Sequence, residues 1–212
     1  MSSKQEQRSE ETKKNILHAA SRLFSKKGYD HVTMREIAKE AGCSHTTIYI
    51  YFKDKEALLH KLSMPVLQML KEKLENISKD VTITSEEKLM EISREFIYFC
   101  LLNRSMYSIF ITTRSSRVDV EEPDSEINRI RLELFNIIRL GIQECLSIDD
   151  NEQVLAFSRI FFFTIQGIIA TYAYPHEPLE VLMARLTPTF HQAVEILLLG
   201  FKEKLKQRGC NK

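Results

Sequence analysis

Tryptophan is absent, and glycine and proline number only 6 and 5, with no two glycines close together. Without a Gly-rich turn there is neither a phosphate-cradling loop nor a dinucleotide fingerprint, and no GxSxG or HExxH occurs. His176-Glu177 lies in a Pro-bounded turn, and the pairs Glu121-Glu122 and Asp149-Asp150 are local charge runs, so no enzyme is expected. The four cysteines, Cys43, Cys100, Cys145 and Cys210, contain no CxxC pair. That excludes a zinc signature and gives no reason for a disulfide framework, so no cofactor and no metal are expected. A long hydrophobic run is missing too. The most apolar stretch, 160–173, holds Gln166 and is shorter than the roughly 20 residues a membrane span needs. The opening MSSKQEQRSEETKK is polar and unlike a signal peptide. A cytoplasmic protein with reduced thiols, touching no membrane, is the expectation.

One-sided charge is lacking as well, at 30 Lys+Arg against 29 Asp+Glu, but its distribution is uneven. Residues 1–60 carry 11 basic and 8 acidic side chains, and the remainder 19 and 21. A surface for a polyanion therefore belongs at the N-terminal end.

Helical periodicity runs through the whole chain, with no strand-like alternation and no repeat, so the class is all-α. Ser9 can cap a first helix whose Ile16, Ala20, Leu23 and Phe24 form one stripe, ended by Gly28. Thr33 with Glu36 reads as a capping box, and Gly42 as the left-handed residue that stops that short helix. Ser44 can cap a second short helix running through Thr47, Ile48 and Tyr51 to Phe52. Two short helices about a Gly-containing turn read as a helix-turn-helix or, more blandly, as a plain helical hairpin. Phe24, Val32, Ile37, Ala38, Ile48 and Phe52 are its expected core. Asp54 caps a long helix to about Ile77, with a kink or restart expected near Pro65. Thr84 with Glu87 opens another helix, and a shorter one is expected over 101–113. Further helices are expected from about Ser125 to Leu146, from Asp149 to Tyr174, and after Leu179. Whether Pro188 starts or bends the last helix is open at this level. The division expected is 1–55 for the N-terminal unit and 56–212 for the rest.

Chemistry gathers on the second short helix. Ser44, His45, Thr46, Thr47 and Tyr49 crowd onto it, while its buried face needs only Ile48 and Phe52. Hydroxyls and helix N-terminal amides donate well to phosphate oxygens, and Lys53 and Lys55 follow.

Residues 12–58 resemble the DNA-binding domain of the TetR family of bacterial transcriptional regulators. The match runs through Ile16-Leu17, Ala19-Ala20, Leu23-Phe24, Gly28-Tyr29, Thr33, Ile37-Ala38, Ala41-Gly42, Ser44, Tyr49, Phe52, Lys55 and Leu58. Beyond residue 60 the similarity is only of kind. The resemblance implies that Thr33, Tyr49 and Lys55 hold phosphates and that the second short helix lies in the major groove. His45-Thr46 stands where the family often has Lys-Gly, which changes the expected operator rather than the function. With the local chemistry, the DNA-binding set is Thr33, Ser44, His45, Thr46, Thr47, Tyr49 and Lys55.

The resemblance also implies a homodimer on a palindromic double-stranded operator, paired through its last two helices, and repression relieved by a small effector. Ala156, Ile160, Phe163, Gly167 and Ala170 on one helix, with Phe190, Val194, Leu197, Leu198 and Phe201 on the other, are the interface candidates. Phe96, Phe99, Met106, Phe110, Phe135, Ile138, Phe161 and Phe162, with Asn103, Tyr107 and Gln166 as polar groups, could line a pocket for a lipophilic effector; Arg114 and Tyr172 are further polar candidates. The same side chains could equally be ordinary core. Two alternatives accompany this reading: a repressor that needs no ligand, and an all-helical interaction protein without specific DNA binding.

Overall fold

The computed structural model describes residues 4–103, 122–123, 125–173 and 177–209. Every regular element among them is α-helical: α1 (Lys4–Lys27), α2 (Met34–Glu40), α3 (His45–Tyr51), α4 (Lys55–Lys79), α5 (Ser85–Leu102), α6 (Glu126–Leu146), α7 (Asn151–Tyr172) and α8 (Leu179–Gly209). The expected helix over 101–113 falls largely outside the described residues. The chain forms two compact units, whose described parts are residues 4–67 and the described residues from 68 to 209, with the boundary between Leu67 and Gln68 inside α4.

In the first unit α1 packs on α2, and α2 on α3. All six expected core residues, from Phe24 to Phe52, are buried, together with Ile16, Ala19 and Ala20. Each such Ile or Phe contributes about 1.5–3 kcal/mol by leaving water. α1 starts at Lys4, not after Ser9; the five polar residues before Ser9 include Lys, Gln, Glu and Arg, all good helix formers. Thr33 and Glu36 form the full capping box. At the other end of α2, Gly42 adopts φ 69°, and the Cys43 amide reaches back to the Ala38 carbonyl at 3.0 Å. That six-to-one bond with a left-handed residue is the Schellman stop. α4 is capped by Asp54, whose carboxylate accepts from the Ala57 amide at 2.7 Å, and it runs as one helix through Pro65.

In the second unit α5 packs against α6, α7 and α8, and α6 against α7. Gly141 marks a close approach of α6 to α5, since a Cβ there would lie 3.1 Å from Leu89 Cδ1. Thr84 and Glu87 cap α5 as a box, and Ser125 caps α6. α7 is capped by Asp150 rather than Asp149. α8 passes through Pro188 without restarting. The Thr187 hydroxyl donates back to the Met183 carbonyl at 2.6 Å, so it cannot act as an N-cap there.

α7 as a whole is long and apolar enough to cross a membrane by length and composition. That apolarity serves two faces. Val154, Phe157, Phe161, Ile165 and Ile169 are buried in the unit, while Ile160 and Phe163 are exposed.

Candidate functional site

The first unit holds α3 from one side only. Ile48 is fully buried and Phe52 closes the helix into the core. Ser44 caps it, its Oγ accepting from the Thr47 amide at 3.0 Å and lying 2.7 Å from Thr47 Oγ1. The opposite face is open and carries His45, Thr46, Tyr49 and Ile50. The rings of His45 and Tyr49 meet edge to face at 5.2 Å, one turn apart. This is a prearranged polar and aromatic surface on a helix short enough to enter a major groove.

Other members of the expected DNA set have work inside the protein. Thr33 Oγ1 donates to Glu36 Oε2 at 2.9 Å and accepts the Glu36 amide. Glu36 in turn takes a bond from Lys27 Nζ at 2.7 Å. Those bonds, Lys27 first and then Thr33, hold the Glu36 carboxyl at about 2 instead of 4.5. Lys55 Nζ donates to the carbonyls of Tyr29 and Val32 at 2.7 and 2.9 Å and sits 4.2 Å from the Tyr29 ring centre. Two of its three protons are thus committed to pinning the turn between α1 and α2. Cys43 is half-buried, and burial raises its thiol pKa, so nothing in its surroundings favours the reactive thiolate.

Ile50 was not among the sequence candidates, yet it is 75% exposed in the middle of that open face. Its spacing held the signal: two residues from Ile48 in a helix is about 200° around the axis, away from the core.

In the second unit Phe96, Phe135 and Phe162 come together, Phe162 lying 6.3 Å from Phe96 and 5.7 Å from Phe135 between ring centres. Phe161 and Ile138 are fully buried and Phe99 is half-buried. The Asn103 side-chain amide is engaged at the end of α5, donating to the Phe99 carbonyl at 3.0 Å. Gln166 Oε1 is buried with no hydrogen-bond partner among the described residues. Tyr172 is half-buried, its ring 6.1 Å from that of Phe190. Met106, Tyr107, Phe110 and Arg114 lie outside the described residues. A cleft of about 500 Å³ opens beside Leu132, Phe135, Asn136, Arg139, Asn151, Glu152 and Leu155, and of the expected lining it includes only Phe135. Among the described residues no cluster of His, Cys, Asp and Glu could hold a metal.

The interface candidates divide. Ala156, Ile160, Phe163, Gly167 and Ala170 are all exposed along one face of α7, Phe163 by 64%. On α8, however, Phe190, Val194, Leu198 and Phe201 are buried in the chain's own core, and Leu197 is half-buried. Phe201 stacks on Phe157 with ring centres 4.2 Å apart. These four side chains are therefore not free to meet a partner. The exposed large apolar residues on the same helix, among the described residues, are Val181, Ile196 and Leu199.

The sequence model of the bacterial regulatory proteins of the tetR family matches residues 16–62. The fatty acid metabolism regulator protein of Bacillus subtilis (strain 168) is 25% identical over 190 residues, covering 89% of this chain and 95% of that one. Among solved structures, the B. subtilis transcriptional regulator FadR in complex with stearoyl-CoA superposes with a TM-score of 0.60 at 22% identity, over 85% of this chain and 96% of that one. The fatty acid degradation regulator FadR of Bacillus halodurans gives 0.59 at 19% identity, over 87% and 97%. At such identities the solved structures establish a common fold.

Proposed function

We propose that this chain is a DNA-binding transcriptional regulator of the bacterial TetR family and not an enzyme: a cytoplasmic repressor that grips a palindromic operator as a homodimer and is released by a small lipophilic effector. Residues 1–55 serve DNA binding, and 56–212 serve effector binding and dimerisation. The observation that carries this reading is the open face of α3. His45, Thr46, Tyr49 and Ile50 are displayed by a helix whose caps and core contacts leave them nothing to do for the fold.

His45 and Thr46 face base edges, with Thr47 close behind them, and Ile50 offers an apolar contact of the kind a thymine methyl accepts. Thr33, Ser44, Tyr49 and the third proton of Lys55 position the duplex through phosphates. One short helix reads only a few base pairs. A second copy supplies the other half-site about 34–36 Å away, one helical turn of DNA. The face of α7 that includes Ile160, Phe163 and Gly167 supports the pairing, joined by Ile196 and Leu199 of α8.

The second unit supports a lipophilic effector through the aromatic group of Phe96, Phe135 and Phe162. A relative whose printed name concerns fatty acid metabolism, and a solved neighbour that holds stearoyl-CoA, favour a long-chain acyl compound. To move the dimer from nearly all competent to nearly all incompetent, the effector must favour the second state by about 5.5 kcal/mol. The test is selection of bound duplexes from a random library by the full-length protein, followed by light scattering of the complex. Two symmetric half-sites one turn apart, bound by two chains, are expected. Selected sequences without two-fold symmetry, or a monomer on the DNA, would defeat the reading.

A further inference from the structure

Among the described residues of 68–209, two buried side chains are of ionisable type, and their surroundings differ sharply. Glu95 is 6% exposed and is held by Lys73 and Arg94. Arg131, on α6, is 7% exposed, and no carboxylate among the described residues pairs with it. Its hydrogen bond runs from Nη1 to Asn128 Oδ1 at 3.2 Å, while its buried Nε–H has no acceptor among those residues. Burial pulls its pKa below the ordinary arginine value. A guanidinium still stays charged at neutral pH. A buried cation left in this way is a standing penalty on the fold.

A second orphan lies close by in register. α6 and α7 form a helical hairpin joined by residues 147–150, and Phe135 meets Phe162 across it. One turn further from the connection, four residues earlier on α6 and four later on α7, come Arg131 and Gln166. Gln166 Oε1 is buried and unpartnered as well. A donor and an acceptor at one level of the hairpin, each unsatisfied, would both be completed by a third group that accepts from Arg131 and donates to or bridges Gln166. The remaining orphan, His191 Nε2, is different, because Glu91 lies within electrostatic reach of that side chain.

We propose that Arg131, with Gln166 beside it, anchors the polar end of the effector, and that the effector therefore has a long apolar body bearing one anionic group, a long-chain carboxylate being the simplest case. This deepens the lipophilic-effector reading and rests on it. The guanidinium edge bonds a carboxylate in bidentate fashion, which suits arginine better than lysine. Gln166 can turn its amide to add a third bond, and the apolar body lies against Phe96, Phe135 and Phe162. A free fatty acid and its thioester share that body, but the thioester brings a neutral carbonyl to the same place.

The experiment titrates the full-length protein with laurate, dodecanol and lauroyl-CoA by calorimetry, and repeats this with Arg131→Met, Arg131→Lys and Gln166→Leu. Arg131→Met is expected to weaken laurate by about ten- to a hundredfold, the worth of a hydrogen bond to a charged group, and to leave dodecanol unchanged. Arg131→Lys keeps part of the preference, and Gln166→Leu loses less than Arg131→Met. Without ligand, Arg131→Met melts no lower than the wild type, because a side chain of similar reach replaces an unpaired buried charge. Lauroyl-CoA binding that falls in Arg131→Met supports the anchor with the thioester as its source. If Arg131→Met binds laurate like the wild type, or melts well below it, the anchor is wrong while the lipophilic-effector reading stands. If none of the three probes binds the wild type, both fall together.

Discussion

The two units treat their polar groups in opposite ways. In residues 4–67 the hydroxyls and charges around the open face of α3 are tied to partners nearby: Ser44 to Thr47, Thr33 to Glu36, Lys55 to the Tyr29 and Val32 carbonyls. In residues 68–209, buried atoms of Arg131, Gln166 and His191 have no hydrogen-bond partner among the described residues. A surface finished in advance can meet a rigid duplex without reorganising. An interior left incomplete is where a small molecule can gain differential affinity, and differential affinity is the only way a ligand shifts an equilibrium. The contrast fits the roles proposed for the two halves, and it can be attacked from either side.

The largest effect is expected on the exposed face of the second unit. Phe163→Asp replaces a side chain that is 64% exposed, so the subunit fold should survive. Buried between two copies, the same change puts two carboxylates into an apolar contact. We expect a monomeric mass by light scattering and about a thousandfold loss of operator affinity, down towards the non-specific level. A dimer that binds normally would remove α7 from the interface.

Next comes the face proposed to read bases. His45→Ala should cost about 1–3 kcal/mol per half-site and relax one operator position. A specificity profile identical to that of the wild type, from a randomised operator library, would show that His45 reads no base.

The capping box gives a smaller effect, in stability rather than recognition. Thr33→Ala should destabilise the first unit by about 1 kcal/mol. Glu36 adds a pH signature, because its folded pKa of about 2 lies below the ordinary 4.5. Its contribution is complete above the ordinary value and is lost as pH falls from 4.5 towards 2. Glu36→Gln should flatten that part of the acid unfolding curve, followed by circular dichroism; an unchanged curve would mean that the box does not persist in solution.

Smallest of all is Cys43→Ser. With burial raising the thiol pKa, no change in operator affinity and no peroxide sensitivity are expected in gel shifts. Peroxide-dependent release that vanished in the variant would make Cys43 a sensor after all.

What could be read before the fold was known follows the same division. The capping pairs Thr33-Glu36 and Thr84-Glu87 act over three residues, so residue type and spacing suffice to place them. The core of the first unit was legible because each of its short helices has one apolar face. On α8 apolar residues occur all round the helix, and periodicity could not separate buried Val194 and Leu198 from exposed Ile196 and Leu199. Arg131 escaped notice for the opposite reason. An arginine is read as surface, although its place four residues from both Ile127 and Phe135 puts it on the buried face of α6. Long-range packing decides such cases, and sequence spacing reports on it only indirectly.

The one-sided attachment of α3 also bears on how this regulator can change over time. Its anchors, Ser44, Thr47, Ile48 and Phe52, are distinct from the four residues it displays. Drift at His45, Thr46, Tyr49 and Ile50 is therefore nearly free of any penalty in folding, and under the proposed role selection there answers to promoter sequence alone. After duplication, two copies could diverge to separate operators through a handful of substitutions while sharing the same scaffold. Grafting another quartet onto these positions is correspondingly the shortest engineering route to a regulator of new address.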